Sequence, residues 1–275
     1  MPGCAKAPEA LREAGLYRKL AHSFDAGVVL PERYLDDGDP LSGKVRNQSG
    51  LVEHATRLAD RLEVSLNEGE WPLVLGGDCS LLVGIGLALS RRGRYGLVHI
   101  DGHTDFRHPG NSEVCLSVAG EDLAAVVGLH WPAISDIEGR SPYFQPEHAT
   151  HVGCRNYDEY LNEANGLLGR VITATQVREQ GVAWAARQID EVMKLNELQG
   201  YWVHLDVDVL DPLWMPAVDS PDNGGLNPDE LTALLRALVP TSLGADVTVF
   251  DPDLDPKGVY AELLTEILTK GFAQV

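Results

Sequence analysis

Three short stretches of the sequence concentrate side chains able to bind cations: Gly76-Gly77-Asp78-Cys79-Ser80, Asp101-Gly102-His103-Thr104-Asp105 and Asp206-Val207-Asp208. In the second, Asp101, His103 and Asp105 stand two residues apart, a spacing that puts all three on one face of an extended chain. Asp206 and Asp208 repeat that spacing behind Tyr-Trp-Val-His-Leu, a run expected to be buried. Acids crowded at a buried site repel one another and lose hydration, and a metal ion offsets both costs. The bland alternative is a solvated loop for the first stretch of acids, and a calcium-like or purely structural acidic turn for the second. It fits poorly where the apolar run YGLVHI leads straight into the acids. Cys79 follows two glycines that permit a tight exit from a strand. Alone it would read as a small buried hydrophobe; beside two acidic strand ends it is expected to be a ligand. Cys79, Asp101, His103, Asp105, Asp206 and Asp208 suit two adjacent ions. Asp101 and Asp206, first in their runs, would bridge them. Such a pair activates water toward an electrophilic carbon or phosphorus centre. No P-loop, dinucleotide fingerprint or nucleophile elbow competes with this reading.

These stretches need elements that bring them together. Short apolar runs alternate with amphipathic stretches, which predicts an α/β fold with a mainly parallel sheet. Strands are expected over residues 73–76, 95–100, 149–153, 169–173, 201–207 and 244–250. Helices are expected from Gly50, from Gly181 and from Asn227. The last has Asn227 as its cap, Pro228 at its first position and Glu230 to complete a capping box. All three ligand-bearing stretches follow predicted strands, and open α/β sheets bind ligands at the carboxyl ends of their strands.

Residues 1–275 read as one domain, without a linker or internal repeat. With 22 basic and 41 acidic side chains the formal charge is −19, a field that attracts cations and argues against nucleic acid as a partner. No run approaches about 18 apolar residues, so no membrane span is expected. The first residues lack a signal-peptide pattern. Cys4, Cys79, Cys115 and Cys154 are too scattered for a disulfide framework or a zinc knuckle. The cytoplasm is the expected compartment.

The motifs together resemble the ureohydrolase family, which includes arginase, agmatinase, guanidinobutyrase and formimidoylglutamase. GCAKAPEALREAGL is similar to the family's early turn and first helix, GGDCS to its GGDHS motif, and DGHTD to DAHxD. VGCRNYD is similar to a glycine–arginine segment, and HLDVDVLDP with its proline- and glycine-rich continuation to DxDxxDP. The resemblance implies a three-layer αβα fold and a binuclear manganese centre, other divalent metals being possible. One ion would take Cys79, Asp101, Asp105 and Asp206, and the other Asp101, His103, Asp206 and Asp208. Asp105 would orient the attacking water-derived nucleophile. The implied reaction cleaves an amidino carbon–nitrogen bond, releasing urea, hydroxyurea or formamide and an amine. The expected partners are a small amidino substrate and further copies of the chain, with no nucleic acid and no membrane.

Four departures qualify the resemblance. Cys79 stands where the family has a histidine, as in relatives that cleave Nω-hydroxy-L-arginine. A family histidine is replaced within Ala119-Gly120-Glu121-Asp122. Val249 stands where a glutamate grips the guanidinium, although Asp251 or Asp253 could reach the site from the next turn. The family's first strand is missing, so the sheet is smaller or the strand is replaced from elsewhere. Asn111 and Glu113 lie in the stretch where family members contact substrate. The alternative reading is an inactive, metal-binding relative serving as a scaffold or partner subunit.

Overall fold

The computed structural model describes residues 3–20 and 23–274. Two short helices, α1 (Ala7–Glu13) and α2 (Leu16–Lys19), precede an extended segment and the long α3 (Gln48–Glu68). There follow β1 (Leu73–Leu75), α4 (Leu81–Arg92), β2 (Gly96–Ile100), α5 (Asp122–Val126), α6 (Pro132–Ser135) and β3 (Ala149–Val152). The chain continues through α7 (Leu161–Leu167), β4 (Arg170–Ile172), α8 (Ala174–Gln180), α9 (Val182–Leu195) and β5 (Tyr201–Asp206). It closes with α10 (Pro228–Leu238), β6 (Ser242–Thr248) and α11 (Val259–Gly271).

The six strands form one sheet in the order β1-β6-β5-β2-β3-β4, and every pairing is parallel. Parallel strands are buried on both faces, and a separate apolar cluster covers each. Leu11, Val177, Ile189, Leu234 and Leu264 cover one face, bringing in α1 and α8 to α11. Leu58, Ile85, Leu123, Ile134 and Ala164 cover the other, from α3 to α7. This is the three-layer arrangement expected, with each predicted strand present within two residues of its predicted ends. No described residue before Leu73 is in a strand, so none of them replaces the strand thought missing.

Local signals set the helices that matter most for the site. Asn227 and Glu230 form the expected capping box on α10, and Thr173 and Gln176 form a second on α8. The buried helix α4 packs close against α3. A Cβ on Gly84 would lie 2.8 Å from the Ala55 carbonyl oxygen, so glycine permits this approach. α4 thereby fixes Cys79, two residues before its start.

Candidate metal centre

All six expected ligands lie at the carboxyl ends of β1, β2 and β5. Gly76 and Gly77 leave β1 with φ of 96° and 74°, in the left-handed region where glycine is unstrained. A Cβ on Gly76 would also meet the Pro8 ring at 2.4 Å. This turn swings Cys79 into the interior, where Sγ lies 2.9 Å from Asp206 Oδ2 and 3.1 Å from Thr248 Oγ1.

The pleat does not align the acids, contrary to the sequence expectation. β2 ends at Ile100, and Asp101 to Asp105 lie in irregular backbone. The His103 N–H donates to Asp101 Oδ1 at 2.6 Å, and the Asp208 N–H donates to Asp206 Oδ1 at 2.8 Å. In both stretches the first acid accepts from the backbone two residues on, a tight turn that short acidic side chains favour. The i, i+2 spacing therefore reports turns at strand ends rather than alternation along a strand. Asp105 has a φ of 46°, uncommon for a side-chain-bearing residue.

Two triads of ligand atoms result, each with all atoms within 4.8 Å of one another: Cys79, Asp101 and Asp206, and Asp101, His103 and Asp208. Asp101 belongs to both. Asp105 joins through a side-chain interaction with Asp122. Burial raises the Asp101 carboxyl well above its usual range, and Asp105, Asp208 and Asp206 raise it further. Burial does the same to Asp105 and Asp206, aided chiefly by Asp122 and Asp208 respectively. The Cys79 thiol is pushed up by burial and then by Asp206. Only Asp208 is lowered: burial opposes ionisation, but the hydrogen bond from His103 Nδ1 at 2.9 Å outweighs it. His103 is raised, since Asp208 overcomes the opposing effect of burial. Asp208 is further fixed by the Gly102 N–H at 3.0 Å, and buried Arg155 holds its carbonyl at 3.0 Å.

The donor set fits divalent cations. It offers carboxylates, an imidazole and a thiol from three strand ends, and Asp101 Oδ2 is buried with no hydrogen-bond partner among the described residues. Such groups normally find partners, and a cation supplies one while offsetting the crowded charge.

The remaining expected contacts belong to neither triad. Asn111 ties down its own loop: its amide donates to the Phe106 carbonyl and to Glu163, and its oxygen accepts from the His108 N–H. Glu113 is exposed. Asp251 accepts from the Asp253 N–H and lies so close to Gly3 that a Cβ there would fall 2.0 Å from Oδ1. Val249 is buried with φ of 71°, a conformation foreign to β-branched residues.

Sequence reasoning missed a set of buried polar groups behind the ligands: three histidines and two aspartates. His204, His99 and His151 occupy one register level across β5, β2 and β3, next to Asp246 on β6. Asp122, at the start of α5, presents Oδ2 to His99 Nε2 at 3.4 Å and to His204 Nε2 at 3.6 Å. A signal was present: His99 and His204 each precede a ligand aspartate by two residues, and so share its side of the strand.

The fold and site define a class: a parallel α/β protein with a cluster of candidate metal-ligating groups at its strand carboxyl ends. A model of the arginase family matches residues 1–272. The arginase of Bacillus caldovelox is 27% identical over 99% of this chain and 93% of its own length. Its solved structure superposes with a TM-score of 0.85 over the same shares. The arginase of Agrobacterium fabrum is 28% identical over 99% of this chain and 86% of its own. The chain belongs to the arginase family, and its chemistry is hydrolysis of an amidino carbon–nitrogen bond.

Proposed function

We propose that this chain is a two-metal amidinohydrolase acting on a weakly basic amidino group, with Nω-hydroxy-L-arginine as the foremost substrate. The observation that carries the reading is the convergence of Cys79, Asp101, His103, Asp206 and Asp208 into two triads sharing Asp101. Asp101 and Asp206 would bridge. Cys79 and Asp105 would serve one ion, and His103 and Asp208 the other, where manganese suits the oxygen and imidazole donors. Bound ions supply Lewis-acid polarisation and make water acidic enough to be a nucleophile near neutral pH.

The chain's own groups supply orientation and proton handling. Asp105, held by its turn and by Asp122, would fix the attacking water and take its proton. His103, partly exposed, faces Asp222 with Nε2 at 3.6 Å. It lies on the solvent side of the ligand set. Val249 bears on the substrate. A full guanidinium in a dry pocket needs a carboxylate partner, and this side chain offers none. A hydroxyguanidine is less basic and needs that partner less.

The test is release of urea, hydroxyurea, formamide and ammonia from Nω-hydroxy-L-arginine, L-arginine, agmatine, guanidinobutyrate and formimidoylglutamate, with manganese supplied. The hydroxyguanidine should have the highest kcat/KM. A preference for L-arginine would overturn the substrate assignment, and no turnover above a metal-only control would overturn the active-hydrolase reading.

A further inference from the structure

The face of the sheet beneath the ligand cluster carries a polar layer that the six-ligand centre does not use. Asp246, His204, His99 and His151 stand side by side on β6, β5, β2 and β3. All four are buried. His204 is the most constrained. Its Nδ1 is 2.7 Å from Asp246 Oδ2, and Asp246 Oδ1 accepts from the Trp202 indole at 2.6 Å. Asp246 thus accepts a hydrogen bond from Nδ1–H, and in the neutral ring this tautomer leaves the lone pair on Nε2. A carboxylate behind a histidine in this way fixes the ring and raises its basicity toward a metal.

That Nε2 is fully enclosed with no hydrogen-bond partner among the described residues, and the same holds for Asp122 Oδ2 and His99 Nε2. Two of these residues converge on Cys79: ligand atoms of Cys79, Asp122 and His204 all lie within 4.8 Å of one another. The 3.6 Å between His204 Nε2 and Asp122 Oδ2 is close to the edge of a tetrahedron with metal–ligand bonds of about 2.0–2.2 Å.

We propose that His204 and Asp122 are metal ligands, completing with Cys79 a thiolate–imidazole–carboxylate site for a zinc-class ion. The site is one ligand layer deeper than the cluster of Asp101, His103 and Asp208. His99 Nε2 faces both carboxylates, 3.4 Å from Asp122 Oδ2 and 3.7 Å from Asp101 Oδ2, without a hydrogen bond to either. The imidazole absent at position 79 is thereby supplied from β5. The two ion positions differ in kind: sulfur and imidazole favour zinc, cobalt or iron, whereas the outer oxygen-rich set suits manganese. The inference rests on the reading of Cys79 as a ligand.

Cobalt(II) titration of the metal-free full chain tests it, because a thiolate ligand gives a near-ultraviolet charge-transfer band. X-ray absorption at saturation counts imidazoles. The expected count is two per chain, His103 and His204, against one if His204 is only a core residue. His204→Asn, which can still bond Asp246, and Asp122→Asn should each weaken the thiolate-bearing ion about 10-fold or more. The outer ion should bind as in the parent. A folded His204→Asn protein with the parent's band and affinity would overturn the proposal, as would a count of one imidazole in the unaltered protein. The second measurement holds even if the variants fail to fold. Absence of the charge-transfer band in the parent would instead sink the Cys79 reading, and Cys79→Ser should abolish that band if the reading is right.

Discussion

The two sides of the ligand cluster differ in how far they are reconciled with their own charge. On the outer side, His103 Nδ1 hydrogen-bonds Asp208, Asp208 accepts from the Gly102 amide, and Arg155 lies behind it. Their shifts, down for Asp208 and up for His103, are those of a satisfied pair. On the inner side, Asp101, Asp105, Asp206 and Cys79 are all pushed toward their neutral forms by burial and by one another. Asp122 is raised to about 7, chiefly by burial. The outer side is electrostatically settled without an ion and the inner side is not. Coordination should therefore contribute more stability inside, while the outer, partly exposed side should exchange its ion more readily.

The variant with the largest expected effect removes the group shared by both sides. Asp101→Asn should strip both ions and abolish turnover, since Asp101 belongs to both triads. Elemental analysis finding one ion retained would show that the halves are independent. Next comes Asp105→Asn, which keeps the side chain's size but not its charge. A rate loss of about 100-fold or more is expected, in line with general-base effects, with the fold intact and the outer ion fully retained. Full activity, or a loss confined to thermal stability, would remove Asp105 from the chemistry.

A smaller effect concerns pH. Asp101, Asp105 and Asp206 are raised, and Asp122 reaches about 7. Without metal, the native state then holds protons that the unfolded chain releases above about pH 4. Stability therefore falls as pH rises through that window. His204 and His103, also raised, act in the same direction. His99 and His151, lowered by burial and by neighbouring histidines, oppose it. A bound cation takes the place of the retained protons. The rise in Tm on adding manganese should thus be larger at about pH 8 than at about pH 5. Equal rises would mean that the carboxylates are already ionised without metal. The smallest effect is a control far from either side: Asn227→Ala, which removes the cap of α10, should cost about 1 kcal/mol. Its metal content should not change.

Much of this was legible in the sequence because the clues were local. The apolar runs of β2 and β5 mark the strands, and the acids at their ends mark the site. The capping box of α10 follows from Asn227, Pro228 and Glu230 alone. What was not legible depends on turns and on distant contacts. Asp101 and Asp206 organise turns through backbone amides, which spacing alone cannot distinguish from a pleat. His99 and His204 sit in apolar runs, where a single histidine passes for a core residue. Only the parallel register of β2, β5 and β6 lines them up with Asp246. Asp122 comes to the cluster from α5, and no local pattern announces that approach.

The account's central claim is that ligands from three strand ends hold two divalent ions about a shared Asp101. Anomalous diffraction from crystals grown with manganese tests it most directly. The account predicts two peaks in the pocket, both in contact with Asp101, one beside His103 and Asp208 and the other beside Cys79. A pocket without peaks at saturating metal, or peaks bound only by surface carboxylates, would contradict it.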